Sequence, residues 1–144
     1  MKGLATTLTE KLRTGRYDGD SPDVLVIDDD EDVRWALLEL VQILGFVAVG
    51  ACNGAQGLKL ACDRRPRVIL LDLRMPVMDG YQFLQRRQAD PALAQIPVVV
   101  ITAEAAVDPI VPEVQQLLRK PIGEEELRAA LEALPLAPRA AAVS

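Results

Sequence analysis

Asp28, Asp29 and Asp30 stand directly behind one apolar run, residues 24–27, and Asp72 stands behind another, residues 68–71. Thr102 follows a third run, residues 97–101, and Arg119 and Lys120 follow the pair Leu117 and Leu118. Carboxylates brought together at strand ends repel one another unless a cation sits among them. Oxygen-only ligands with open positions suit Mg²⁺, which keeps several waters and commonly shares a phosphate oxygen. A Thr hydroxyl and a Lys ammonium beside such an ion would face the anion that completes the site. An aspartate in that setting is a competent phosphoryl nucleophile, yielding an aspartyl phosphate, and Lys and the metal would neutralise charge on the transferred group. Taken alone, the acid run fits a solvated helix N-terminus equally well, and Thr102 or Lys120 alone means little. Asp72 behind a wholly apolar strand is harder to explain that way. The signal lies in their joint placement.

That placement needs a scaffold that sets successive strand ends side by side. Residues 24–27, 46–49, 68–71 and 97–101 read as strands, with Leu117 and Leu118 as a weaker fifth. Between the first two, Val33, Ala36, Leu37, Leu40, Val41 and Leu44 share one helical face, and Gly45 stops the helix. Asn53 is a candidate cap for a helix carrying Leu58 and Ala61. Met78, Asp79 and Gly80 form a turn, after which Tyr81, Phe83 and Leu84 begin a short helix. Pro109 and Pro112 interrupt any helix over 103–114. Glu124 to Leu134 reads as a final helix with acids in its first turn. Alternating strands and helices point to an α/β fold with a parallel sheet and helices on both faces. Ligands in such sheets bind outside the carboxyl ends of strands where strand order reverses.

Composition narrows the function further. The chain has 144 residues, half of them apolar, with a formal net charge of −5 and no histidine. That length fits one domain with a sufficient core. The acidic balance argues against a nucleic-acid module. Without His there is no imidazole base, no His metal ligand and no phosphohistidine on this chain. No apolar run approaches the roughly 20 residues that span a bilayer, and the first residues do not form a secretory signal. A cytoplasmic protein with no membrane partner is expected. Cys52 and Cys62 have neither zinc nor redox-pair spacing and read as small buried side chains. Residues 1–22 form an extension and linker, 23–134 the domain, and 135–144 a loose tail. Within the extension Leu4, Leu8 and Leu12 recur at i+4, compatible with a short helix docking on the domain or on a second subunit, and equally with a disordered extension. Trp35 lies opposite the apolar face of its helix and should be exposed, a candidate contact anchor or a plain surface residue.

Four segments carry a more specific likeness. Residues 24–34 (VLVIDDDEDVR), 68–80 (VILLDLRMPVMDG), 96–103 (IPVVVITA) and 117–122 (LLRKPI) occur in order at the expected strand ends. Over about 23–134 the chain resembles the receiver domain of bacterial two-component response regulators, of the chemotaxis-regulator type. The resemblance implies a doubly wound, flavodoxin-like sheet of five strands in order 2-1-3-4-5. It implies Asp72 as phosphoacceptor, with Mg²⁺ held by Asp29 directly, by Asp28 directly or through water, by Asp72, and by the backbone carbonyl of Arg74. Thr102 would hydrogen-bond the phosphoryl group and Lys120 would pair with it. Ala103 would leave the donor room, and the Lys120–Pro121 peptide would be cis. Partners would be a sensor histidine kinase or a phosphotransfer protein, then an unidentified downstream protein; the chain would be a monomer or weak dimer. It would be a signalling module that catalyses only its own phosphorylation and dephosphorylation. Arg74 and Glu104 would flank the phosphoryl group and, by pairing across the entrance, slow its hydrolysis.

Two departures bear on the switch. Receivers usually carry Tyr or Phe three residues before the Lys, where this chain has Leu117. The Thr102-to-Lys120 spacing is also short, which trims the helix usually found on the output face. With 24 residues after Lys120, a stand-alone receiver without a DNA-binding output domain is expected. Two other readings stay open. One is a receiver-like scaffold that works without phosphorylation, which Leu117 and the shortened helix favour. The other is a phosphohydrolase of the haloacid dehalogenase type with Asp28 as nucleophile, which leaves Asp72 and its Met75–Pro76 loop unexplained.

Overall fold

A computed structural model describes residues 21–103, 114 and 116–134. The candidate helix at Leu4–Leu12, the segment with Glu104, Pro109 and Pro112, and the tail after Leu134 lie outside the described residues. Five parallel strands form one sheet in the order β2-β1-β3-β4-β5, namely β1 (Val24–Ile27), β2 (Ala48–Ala51), β3 (Val68–Leu71), β4 (Val98–Thr102) and β5 (Gln116–Arg119). The helices are α1 (Glu31–Ile43), α2 (Gly54–Arg64), α3 (Gly80–Gln88), the single turn α4 (Pro91–Ala94) and α5 (Glu124–Glu132).

Every residue of β1, β3 and β4 is buried, as an apolar strand covered on both faces must be. Side chains alternate across the sheet, and each strand feeds two cores. Leu25, Ile27, Ile69, Leu71, Val98 and Val100 pack with Ala61 of α2, Phe83 of α3 and Leu93 of α4. Val24, Val26, Val68, Leu70, Val99 and Ile101 pack on the other face with Leu37 and Val41 of α1 and Leu127 and Leu131 of α5.

Local chemistry sets the helix ends. Asp30 caps α1, its side chain accepting from the Asp32 and Val33 N–H groups. The helix ends in a Schellman turn: Gly45, at φ 99°, donates to Gln42 O while Phe46 donates to Val41 O. Asn53 caps α2 and Asp79 caps α3, the latter reciprocated by the Gln82 side chain. Two buried charges act as braces. Asp23 accepts from Val47 N–H and lies 3.6 Å from the Arg67 guanidinium, tying the starts of β1, β2 and β3. Arg87, 2% exposed, donates to the carbonyls of Ala94 and Ile96 and so anchors α3 to the approach of β4.

Two expectations need correction, and one further element appears where none was expected. Strand β2 begins two residues later than the apolar run suggests, because Phe46 and Val47 complete the Schellman turn and the Asp23 brace. Asp90 caps an additional turn, α4, over residues that carry no apolar period. Cys52 and Cys62 are exposed free thiols, not buried ones: Cys52 has just left edge strand β2, and Cys62 faces outward one position after buried Ala61. Trp35 is exposed, at 62%. On α1 only Leu37 and Val41 are fully buried, whereas Val33, Leu40 and Leu44 are half-buried and Ala36 is exposed.

Candidate functional site

The sheet ladder itself assembles the site. Beyond the strands proper, Asp28 N–H donates to Ala51 O and Asp72 N–H to Ile27 O, so the two aspartates end adjacent strands in register. Order reverses between β1 and β3, since β1 connects to β2 on one side and pairs with β3 on the other. The crevice therefore opens where both aspartates emerge. The acid run divides there. Asp30 turns outward to cap α1, while Asp28 and Asp29 remain at the crevice. Asp28, Asp29 and Asp72 each offer a carboxylate oxygen, and these oxygens lie within 4.8 Å of one another. Asp28 is 1% exposed and Asp72 6%, whereas Asp29 is open to solvent.

Lys120 arrives from β5, its backbone N–H donating to Thr102 O at 3.0 Å. Its Nζ lies 2.8 Å from Asp28 Oδ2 and 3.5 Å from Asp72 Oδ1. The Lys120–Pro121 peptide is cis. Thr102, at the end of β4, is fully buried, and Ala103 after it is exposed. The backbone N–H of Arg74 donates to Asp72, and the exposed Arg74 side chain stands at the rim. Glu104 lies outside the described residues. Leu117, on edge strand β5 beside Val100, is half-buried and packs against the core cluster that contains Val98, Val100 and Phe83.

Electrostatics follow from this crowding. Burial first, and then the neighbouring Asp28 charge, push the Asp72 carboxyl up to about 6; Lys120 and the Arg74 N–H offset this only in part. Burial alone would lower the Lys120 ammonium, but its hydrogen bond to Asp28 and the charges of Asp28 and Asp72 outweigh it and raise the pKa. Three acids around one lysine leave an unbalanced negative pocket of oxygen donors, the donor set a hard divalent cation takes.

Two features of the site are not evident from residue types. Arg34 Nη1 donates to Asp28 O at 2.8 Å, holding the first acidic loop against α1; a cation one turn into a helix behind an acid run is the available signal. Gly80 donates to Leu73 O, and a Cβ there would stand 2.5 Å from Asp72 O and 2.7 Å from Leu73 Cα. Both contacts are backbone, so Gly80→Ala is expected to destabilise by about 1–3 kcal/mol and to weaken divalent-cation binding at Asp72. Denaturant unfolding with and without Mg²⁺ measures both. The loop between carries a γ-turn, Met78 N–H to Pro76 O, with exposed Val77 at φ 70°.

Comparison with known proteins agrees with this architecture. A family model described as "Response regulator receiver domain" matches residues 24–132. The transcriptional regulatory protein PrrA of Mycobacterium tuberculosis is 37% identical over 118 residues, covering 79% of this chain and 50% of PrrA. The sensor histidine kinase TmoS of Ectopseudomonas mendocina is 32% identical over 118 residues, 79% of this chain and 12% of that protein. The chain thus spans about half, or much less, of the curated relatives it matches. Among solved structures, the chemotaxis protein CheY4 of Vibrio cholerae superimposes with a TM-score of 0.68 at 26% identity, over 78% of this chain and 97% of CheY4. With the strand order, the acidic crevice and a family match over nearly all of the described residues, the chain belongs to the response regulator receiver domain family of two-component signalling.

Proposed function

We propose that Asp72 accepts a phosphoryl group from the phosphohistidine of a sensor histidine kinase or phosphotransfer protein, in a Mg²⁺-dependent reaction, and that the resulting aspartyl phosphate alters which proteins this domain docks to. The observation that carries the reading is the convergence of Asp28, Asp29 and Asp72 oxygens within 4.8 Å, with Lys120 Nζ 3.5 Å from Asp72. The domain occupies 23–134 and works in the cytoplasm as a monomer or weak dimer; among the described residues no helix is long and apolar enough to cross a membrane.

An Asp72 carboxylate oxygen forms the new bond to phosphorus as the phosphorus–nitrogen bond to the donor imidazole breaks, its electron pair leaving with the imidazole. Asp28, Asp29, Asp72 and the Arg74 carbonyl would hold Mg²⁺, which when bound supplies positive charge to the phosphoryl oxygens. Lys120 pairs with one phosphoryl oxygen, exchanging part of its contact with Asp28, and the Thr102 hydroxyl donates to another. Ala103 leaves the approach open. With Leu117 in place of an aromatic ring, the phosphorylated state is read through contacts other than a ring rotation.

Incubation with Mg²⁺ and acetyl phosphate, followed by intact-mass measurement, tests the proposal. One phosphoryl adduct is expected, absent without Mg²⁺ and absent in Asp72→Asn. Failure of acetyl phosphate and of a panel of phosphorylated kinases to give any adduct would leave the scaffold reading in its place. Phosphate release that survives Asp72→Asn but stops in Asp28→Asn would make Asp28 the nucleophile. If Arg74 and Glu104 hinder the hydrolytic water, Arg74→Ala and Glu104→Ala each shorten the adduct's lifetime several-fold; an unchanged lifetime in both variants removes that role.

A further inference from the structure

Helices α1 and α5 cover the same sheet face without closing over it. Two hollows lie along the seam. One, of about 470 Å³, is bounded by Ala36, Leu40, Pro121 and Ile122 near the carboxyl end of the sheet. The other, of about 400 Å³, is bounded by Ile43, Phe46, Leu131 and Leu134 at the opposite end. Between them runs the edge of α1 on which Ala36 is exposed, Leu40 half-buried and Ile43 56% exposed. The helix spends apolar side chains on an edge that the described residues leave uncovered.

We propose that residues 1–20 of the same chain fill this seam, with Leu4, Leu8 and Leu12 as a helical stripe laid between α1 and α5. Three observations point to that occupant. The first is position. The chain enters β1 with Asp23 N–H on Val47 O, next to Phe46, which lines the second hollow. Residues 13–20 reach up to about 26 Å when extended, enough to return a preceding helix into the seam. The second is length. Leu4 to Leu12 spans about 12 Å as a helix, against about 10 Å from Ala36 to Ile43 on α1. The third is charge. Residues 1–16 carry Lys2, Lys11, Arg13 and Arg16 against Glu10 alone. The hollows are lined by Asp32 and Glu132, and their two cations, Lys120 and Arg128, are already held by Asp28 at 2.8 Å and Glu124 at 2.9 Å. A basic amphipathic segment meets an acidic, apolar-floored groove.

Backbone hydrogen exchange on the full chain, followed by mass spectrometry, tests this without reference to phosphorylation. Amides of residues 4–12 are expected to exchange at least about tenfold more slowly than a free chain, independently of protein concentration. Ile43→Asp, at an exposed position, and Leu8→Asp, outside the domain, are each expected to return those amides to the free-chain rate while β1, β3 and β4 stay protected. Free-chain exchange of residues 4–12 in the unaltered protein overturns the proposal and leaves the seam for another protein. Protection that grows with protein concentration also overturns it, making the occupant a second copy. Protection that survives both substitutions overturns it too, because the segment would then lie elsewhere.

Discussion

Lys120→Met is expected to lower the stability of the Mg²⁺-free protein at neutral pH by about 2–4 kcal/mol, somewhat under the roughly 3–5 kcal/mol for removing one partner of a fully buried ion pair, because the Lys120 side chain is 18% exposed. Asp28 and Asp72 are nearly inaccessible to water, and Lys120 is the ammonium within 4 Å of both. Methionine keeps much of the length and apolar stem but leaves two buried carboxylates facing each other. Because the Lys120 ammonium is held above its ordinary value of 10.5, its stabilisation is fully present at neutral pH and is lost only as pH rises through that higher value. The single mutant's loss should shrink as pH falls through about 6, where the orphaned Asp72 carboxylate takes up its proton. Adding Asp28→Asn should restore part of it, since the repulsion goes with the charge. Chemical denaturation of the four members of the cycle, with chelator present, measures the coupling. Additive losses would mean that Lys120 and Asp28 do not interact across their 2.8 Å separation.

Asp72→Asn should move stability the other way. A carboxyl raised from 3.8 to about 6 in the folded protein binds its proton more tightly folded than unfolded. Between those values the native state holds more protons than the unfolded one, so stability falls as pH rises through the window. At pH 7 the ionised side chain is a net cost, which Asn removes. The gain should be about 1–2 kcal/mol, less than the whole shift would imply, because solvent at exposed Asp29, on the rim of the same cluster, screens the buried charge in part. The variant should lose the fall in stability between about pH 4 and pH 6, and Mg²⁺ should stabilise it less than the parent. It should also accept no phosphoryl group. A site residue whose removal strengthens the fold while ending the chemistry is the signature of strain kept for function. Thermal unfolding of both proteins from pH 4 to 8, with and without Mg²⁺, reads the effect. Equal stability at every pH, or a destabilised variant, would mean that Asp72 is not held against its charge.

The two effects oppose each other within one cluster, and that separates architecture from chemistry. Lys120 contributes to the metal-free fold by balancing acids that the fold would otherwise expel. Asp72 and Asp28 are retained despite their cost. Mg²⁺ bound by the same acids would relieve the repulsion that Lys120 now shares between them, so the lysine would be freer to meet a phosphoryl group.

Much of this was legible in the residues. Apolar runs of four ending in acid, as at Ile27–Asp28 and Leu71–Asp72, specify buried parallel strands because no other element hides that many branched side chains on both faces. Asn53 and Gly45 mark helix ends through chemistry that acts within one turn, and the crevice acids follow from their place behind those strands. What escaped reading depends on partners distant in sequence. Where β2 begins was decided by Asp23, which binds Val47 from 24 residues away. Asp30 left the acid cluster because two N–H groups of α1 claimed it, while Asp28 stayed because Lys120 reached it across 92 residues. The cysteines are exposed because one lies past an edge strand and the other on an outer helix face, and neither fact is written in their neighbours. Buried Arg87 and the backbone contact at Gly80 likewise exist only once α3 is laid against β3 and β4. The sequence by itself determined element type, order and the chemical inventory of the site, since short-range periodicity and capping act within a few residues. Only the tertiary structure decided which acid faces which cation, how far Asp72 is pushed toward its neutral form, and where the seam between α1 and α5 stays open, because those depend on distances set by packing.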